Sequence, residues 1–142
     1  MKKLIGSIVL LSCIFAGAYA QTSHVVNLTK ADFLTKVFNY EKNPKKWVYE
    51  GKIPCIIDFY ADWCGPCKRV APVLADLSVK YKDKIIIYKI NTDVERELAQ
   101  VFGISSIPTI LFVPVDTVPQ AVFGAIGKED FENVIKDVLL KK

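Results

Sequence analysis

The stretch Ile53-Pro54-Cys55-Ile56-Ile57-Asp58-Phe59-Tyr60-Ala61-Asp62-Trp63-Cys64-Gly65-Pro66-Cys67 decides the fold class of this chain. It begins with a short apolar run, which is typical of a buried strand, and it ends with two cysteines three positions apart. The residues that follow are predicted to form a helix, because their apolar members share one helical face. These members are Val70, Val73, Leu74 and Leu77. The pattern therefore places a cysteine pair at the junction between a strand and a helix.

The position of Cys64 and Cys67 at a helix start predicts a reactive dithiol. The first N–H groups of a helix have no partner within it, and the aligned peptide dipoles leave partial positive charge there. Both effects stabilise a thiolate at Cys64, and the thiolate is the form that attacks disulfides. Pro66 suits the first helical turn, since its φ is fixed and it has no N–H, and Gly65 leaves room for the backbone of a partner.

Two other roles for the cysteine pair are a zinc site and a structural disulfide. A structural zinc ion needs four Cys or His ligands, and outside the pair the chain has only Cys13, His24 and Cys55. A structural disulfide between neighbours this close would constrain the unfolded chain little. We therefore predict no metal and no cofactor. For Cys55 we expect the role of a small buried core residue.

Asp58 stands within the apolar strand-like run. A buried carboxylate is costly unless it is paired, neutral or functional. Burial would raise its pKa toward neutrality, which suits proton transfer. A solvated aspartate at the end of a strand is the alternative.

Four motifs at characteristic separations resemble the thioredoxin family, and the resemblance extends from about Val25 to Leu140. These motifs are Asp58 to Lys68, Ala71-Pro72, Ile104 to Thr109, and Phe123-Gly124-Ala125. The resemblance implies an α/β fold, with a central mixed β-sheet flanked by helices on both faces. Tyr60 departs from the family pattern, because many members have tryptophan there.

The same resemblance implies an active site. Pro108 would follow a cis peptide bond and lie beside the dithiol. The backbone of Ile107 would then be free to pair with a substrate strand, and Trp63 and Gly124 would belong to the substrate-binding surface. Lys89 would be the lysine near the buried acid, although a surface position for Lys89 remains open.

The expected reaction is thiol–disulfide exchange on protein substrates. The Cys64 thiolate attacks a disulfide, and Cys67 resolves the mixed disulfide while Asp58 takes its proton, directly or through water. Gly65 and Pro66 between the cysteines are typical of reducing family members, so we expect a protein-disulfide reductase. A disulfide oxidase or isomerase, or a non-catalytic dithiol binding module, are the alternatives.

The first 20 residues have the pattern of a cleaved signal peptide. Two lysines precede the apolar stretch Leu4 to Phe15, and Ala18-Tyr19-Ala20 resembles a cleavage site. An uncleaved membrane anchor or a buried helix fits less well, because the apolar run is short for a bilayer span. A lipid anchor on Cys13, which follows Leu10-Leu11-Ser12, is another alternative. We therefore expect a thioredoxin domain at residues 21–142, located in the periplasm.

The expected partners follow from that location. They are disulfide-containing exported proteins and a membrane-embedded electron donor that recharges the dithiol. Loss of residues 1–20 takes the formal charge from +4 to +2, which indicates no nucleic-acid surface. We expect the chain to act as a monomer.

Periodicity and turn signals predict the remaining elements. The first elements are a strand at Val25 to Leu28 and a helix capped by Thr29 that runs to about Tyr40. A loop or short helical excursion follows from Glu41 to Lys52, in which we expect Trp47, Val48 and Tyr49 to cover the sheet edge; a surface for a partner is the alternative. The later elements are a strand at Ile85 to Asn91, a helix that opens with a capping box at Thr92 to Glu95 and runs to about Phe102, a hairpin of Ile110 to Val113 with Gln120 to Phe123, and a closing helix from about Lys128 to Leu140.

Overall fold

A computed structural model describes residues 22–141, and it contains one five-stranded sheet with helices on both faces. The predicted signal peptide, Cys13 and the first residue of the predicted domain lie outside the described residues. The strands are β1 (Val25–Asn27), β2 (Cys55–Tyr60), β3 (Ile86–Asn91), β4 (Thr109–Val113) and β5 (Gln120–Phe123), and the helices are α1 (Lys30–Lys36), α2 (Gly65–Lys80), α3 (Arg96–Val101) and α4 (Lys128–Val134), the last continued by a π-helical segment, Ile135–Leu139.

The strand order is β1-β3-β2-β4-β5, and it puts β2 at the centre of the sheet. Strands β1, β3 and β2 are parallel, whereas β4 runs antiparallel to β2 and β5 runs antiparallel to β4. The carboxyl end of β2 therefore lies beside that of β3 and beside the start of β4. Among residues 22–141, no helix is both long and apolar enough to cross a bilayer.

Strand β2 separates two hydrophobic clusters because alternate side chains of a strand point to opposite faces. Ile56 packs in the cluster formed with α2 and α4, whereas Ile57 and Phe59 pack in the cluster formed with α1 and α3. This arrangement confirms the predicted mixed sheet with helices on both faces. Cys55 is fully buried in the second cluster, as expected, and burial raises the pKa of its thiol to about 12.

The first helix is shorter than the sequence pattern predicted. Its start is confirmed, because the Thr29 side chain accepts a hydrogen bond from the N–H of Asp32. Its predicted end near Tyr40 is wrong, because α1 ends at Lys36. Phe38 instead forms an isolated antiparallel bridge with Tyr49, so a contact with a distant residue replaces the last helical turn.

The predicted capping box at Thr92 to Glu95 is also wrong. The N–H and the hydroxyl of Thr92 both donate to the carbonyl oxygen of Tyr60, which holds Thr92 in a turn against β2. Helix α3 begins only at Arg96, after Glu95. The Glu95 carboxylate accepts a hydrogen bond from the N–H of Lys30 at the start of α1, and no side chain caps the start of α3.

The segment from Glu41 to Lys52 contains turns and no helix. Trp47 packs on Phe38 with 4.4 Å between ring centroids, and both join the cluster beneath α1. The hydroxyl of Tyr49 donates to the carbonyl oxygen of Ile53 at 2.7 Å. Trp47 and Tyr49 are thus packed against the protein, whereas Val48 is exposed.

Candidate active site around Cys64 and Cys67

Cys64 and Cys67 lie at the start of α2 and form a disulfide, with 5.3 Å between their Cα atoms. Cys64 is the N-cap residue, and the backbone N–H of Cys67 donates to its Sγ at 3.2 Å. Pro66 lies in the first helical turn. The predicted helix start is confirmed. Once the disulfide is reduced, the same N–H can donate to a Cys64 thiolate, which is the interaction that lowers a thiol pKa.

The loop before β4 packs directly against Cys64. The Ile107–Pro108 peptide bond is cis, and the carbonyl oxygen of Ile107 lies 3.7 Å from the Cys64 Sγ. Gly124 donates its N–H to the carbonyl oxygen of Pro108 at 2.8 Å, with a φ of 84° that favours glycine. The placement of a cis Pro108 beside the dithiol is therefore as the family resemblance implied.

Trp63 and Gly65 present an open surface next to the disulfide. Trp63 is 70% exposed, and its indole N–H donates to an Asp93 carboxylate oxygen at 2.9 Å. A Cβ added to Gly65 would meet no atom within 4 Å, so glycine is not required there by packing within the chain. The surface is therefore free for a partner's backbone. Sequence reasoning missed Asp93, because nothing in a pattern connects it to a tryptophan 30 positions away.

Asp58 is buried beneath this surface, with 4% of its area exposed. Among the residues described, none forms a hydrogen bond with its Oδ1 atom. Burial raises the pKa of Asp58 to about 7, and the positive charge of Lys89 partly offsets that rise. The expectation of a buried carboxyl with a raised pKa is confirmed. Asp58 and Cys67 line the same pocket.

Lys89 pairs with Asp58 in the register of β2 and β3, and it is half-buried. Its Nζ atom lies 5.3 Å from the centre of the Tyr60 ring. Among the described residues, no ion pair within 4 Å joins Lys89 to Asp58. Lys89 therefore acts on the carboxyl through its electric field, and Tyr60 packs beside it at the position where many family members have tryptophan.

Comparison with known proteins agrees with this geometry. A family model described as Thioredoxin matches residues 24–137. The chain is 49% identical over 112 residues to the thioredoxin of Borreliella burgdorferi, an alignment that covers 79% of this chain and 95% of that protein. It is 36% identical over 113 residues to the thioredoxin of Haemophilus influenzae, with 80% and 95% covered.

The chain belongs to the thioredoxin family. It is a thioredoxin-like disulfide oxidoreductase, and Cys64 and Cys67 form its disulfide. Thioredoxin 1 of Synechococcus elongatus is a further relative, 38% identical over 91 residues, with 64% of this chain and 85% of that protein covered. Thioredoxin homologues are disulfide oxidoreductases, which is consistent with a protein-disulfide reductase. Among residues 22–141, no group of three or more His, Cys, Asp or Glu residues is arranged to hold a metal ion.

Proposed function

We propose that this thioredoxin-family protein reduces disulfides in exported proteins through the dithiol of Cys64 and Cys67. The observation that carries the proposal is the position of the pair at the start of α2, with Cys64 against the carbonyl of Ile107. That position supplies a donor for a thiolate on one side and a free backbone segment on the other.

The reaction proceeds in two exchanges. The Cys64 thiolate attacks one sulfur of the client disulfide, and the other client sulfur leaves as a thiolate that takes a proton from solvent. Cys67 then gives its proton to Asp58, and its thiolate attacks the Cys64 Sγ. The Cys64–Cys67 disulfide forms, and the second client sulfur leaves. The client gains two electrons, and the dithiol loses two.

Client recognition is assigned to the surface around the cis proline. The backbone of Ile107 pairs with an extended client segment, as in strand addition, while Pro108, Gly124 and the exposed Trp63 contact its side chains. Hydrogen bonds to backbone atoms do not depend on the client's sequence. This mode therefore suits a reductase with many clients.

The proposed location is the periplasm, after removal of residues 1–20. The charged start, apolar stretch and small residues near Ala20 support this location. Residues 21–142 then act as a monomeric domain, recharged by a membrane-embedded electron donor, and a lipid anchor on Cys13 is the alternative. Mass spectrometry of the natively expressed protein tests this proposal, since cleavage predicts Gln21 as the first residue and lipidation predicts an acylated Cys13.

The direction of the reaction rests on Gly65 and Pro66 between the cysteines. The alternative is a net oxidase or isomerase, which an oxidising compartment favours. An equilibrium with glutathione of known ratio separates the two, because a thioredoxin-like reductase has a potential of about −270 mV, whereas isomerases and oxidases of this kind lie at about −180 to −120 mV. A measured potential of about −180 mV or higher would reject the reductase.

The activity itself is tested by insulin reduction with dithiothreitol as the electron source. We expect catalysis by the unmodified protein and none by Cys64→Ser. Cys67→Ser should accumulate a mixed disulfide with the client, visible as a covalent adduct under non-reducing conditions. A dithiol module that only binds clients would give no adduct, and this outcome would reject the enzymatic mechanism.

A further inference from the structure

Val94 and Trp63 are the two most exposed large apolar side chains among residues 22–141. Val94 is 72% exposed and Trp63 is 70% exposed. The indole N–H of Trp63 donates to the carboxylate of Asp93, which is the residue before Val94. The turn after β3 therefore fixes the tryptophan beside the dithiol and presents a second apolar side chain next to it.

The turn that contains Val94 is fixed by hydrogen bonds. The backbone N–H groups of Val94 and Glu95 both donate to the carbonyl oxygen of Asn91, at 3.2 and 2.8 Å. The Oδ1 atom of Asn91 accepts a further hydrogen bond from the N–H of Asp93 at 2.9 Å. The exposure of Val94 is therefore a property of a defined turn. Such a side chain can contact a partner without the entropy cost of ordering a loop.

A cavity of about 260 Å³ lies beside Val94, and we call it the Val94 cavity. Its apolar wall consists of Val94, Tyr60 and the buried Leu28. Small-molecule sites usually have volumes of about 300 to 1,000 Å³, so this smaller space suits one side chain better than a whole ligand. Asp58 and Cys67 are not among its lining residues, so it is separate from the pocket beneath the dithiol.

The lining of the Val94 cavity favours an apolar occupant. Lys89 and Glu95 give the lining one charge of each sign, and the Glu95 carboxylate already accepts a hydrogen bond from the N–H of Lys30. A charged side chain therefore meets no net complementary charge there. An apolar side chain gains free energy instead, because its contact with the apolar wall removes both surfaces from water.

Tyr60 connects the Val94 cavity with the dithiol. Its side chain lines the cavity and also packs against the cluster that contains Cys64. Strands β3 and β4 flank β2 on opposite sides, so the turn after β3 and the cis-proline loop before β4 lie on opposite sides of the end of β2. A client segment that pairs with Ile107 and crosses Cys64 therefore extends toward Val94.

We propose that Val94 is a specificity-determining residue, and that the Val94 cavity binds one bulky apolar side chain of the client. The proposal rests on the proposed function, and it adds a side-chain preference to the backbone recognition at Ile107. The preferred clients have leucine, or an apolar residue of similar size, within a few positions of the cysteine that Cys64 attacks.

The test measures the rate of attack on a set of peptides. Each peptide contains one cysteine that is joined by a disulfide to 5-thio-2-nitrobenzoate, and release of this chromophore from the reduced full-length protein's substrate reports the attack by Cys64. Leucine or serine is placed in turn at each of the three positions before and after the cysteine. We expect leucine at one position to raise the second-order rate constant by about tenfold, because partial burial recovers about half of its transfer free energy.

Substitutions at Val94 connect that preference with the cavity. Val94→Ser should reduce the advantage of leucine to about twofold and leave the rate with the serine peptide unchanged, because only the apolar contact is lost. Val94→Ile keeps the contact and should keep the advantage. Val101→Ser is the matched control, since Val101 is an exposed valine of α3 that does not line the cavity, and it should behave as the unmodified protein.

The outcomes separate this proposal from the proposed function. An advantage of leucine that Val94→Ser leaves unchanged, or no advantage at any position, would overturn the role of Val94. An equal loss of rate with the leucine and serine peptides would also overturn it, because that result indicates a displaced Trp63 and not a lost contact. Failure of the unmodified protein to release the chromophore from any peptide would instead reject the proposed function.

Discussion

At the scale of single residues, Asp58 is the one carboxyl side chain that is buried among residues 22–141. It is buried in the central strand, and its pKa is raised to about 7 because the charged form loses hydration. The energetic cost falls on the ionised state only. A residue placed in this way makes stability depend on pH, and it also gives the site a base that exchanges protons near neutrality.

We expect Asp58 to reduce stability as pH rises. An unfolded aspartate loses its proton near 3.8, whereas folded Asp58 keeps it to about 7. Between these values the folded state binds more protons, so its stability falls with rising pH and then levels off, by about 4 kcal/mol in total. Urea unfolding should show Asp58→Asn gaining stability relative to the unmodified protein from pH 4 to pH 8. Asp116→Asn, at an exposed position, is the control, and a gap that stays constant with pH would contradict the prediction.

A second residue-scale prediction concerns the exposed Trp63. Its only described hydrogen bond is donated to Asp93, and both side chains lie at the surface. Asp93→Ala should therefore free the indole while changing the free energy of unfolding by less than about 0.5 kcal/mol. In a Trp47→Phe background, the fluorescence anisotropy of Trp63 should fall. Anisotropy equal to that of the parent would show that other contacts hold the ring.

At the scale of elements, helix α2 connects the active-site cysteines with the hydrophobic core. Its first turn contains the cysteines, its buried face packs Val70, Leu74 and Leu77 against the sheet, and its small residue Ala75 borders the Asp58 pocket. One helix therefore combines thiolate stabilisation, packing and solvent access. The 41–52 segment, in contrast, lies before β2, at the end of the strand remote from Cys64.

Trp47 should contribute to stability and not to catalysis. It stacks on Phe38 at 4.4 Å between centroids and packs against the cluster beneath α1. Trp47→Ala should lower the free energy of unfolding by about 2 kcal/mol, less than the full value for a buried aromatic because Trp47 is only half-buried. Urea unfolding and insulin reduction measure the two effects. Val48→Ala, at the exposed neighbour, should change neither, and lost activity in folded Trp47→Ala would indicate a role for this segment in client binding.

At the scale of the whole molecule, the strand order places Asp58 on the central strand of the sheet, β2. Strand β2 has hydrogen-bonded neighbours on both sides and is buried along most of its length, whereas β5 is an edge strand whose residues are mostly exposed. Asp58 therefore lies on the central strand, and α2 begins shortly after that strand ends. The residues that we assign to client binding lie on the loops at the strand ends, which are more mobile than the strands themselves.

Hydrogen exchange should follow this order. Amides of β2 and of its neighbours β3 and β4 should exchange only through global unfolding, whereas those of the edge strands β1 and β5 should exchange by local opening and therefore faster. Mass spectrometry of the oxidised protein with peptide-level resolution measures the difference. Equal protection of β5 and β2 would show that another surface covers the edge.

The hydrophobic periodicity and the short motifs of the sequence were enough to predict much of the fold and of the candidate active site. The cysteine pair at a helix start, Asp58 within a buried strand and Thr29 as an N-cap depend on neighbours within a few positions. The cis bond before Pro108 was not readable from the residues themselves, and it came only from the family resemblance. Lys89 beside Asp58 likewise needed the pairing of two strands to bring it there.

The sequence by itself determined the order of strands and helices, the dithiol and the buried acid, because periodicity, capping and burial act over short distances along the chain. Only the tertiary structure decided where α1 ends, that α3 begins at Arg96, that Trp63 is bonded to Asp93, and that a pocket reaches Asp58 from the α2 side. Each of these depends on contacts between residues far apart in sequence, and those contacts form only when the sheet and its helices pack together.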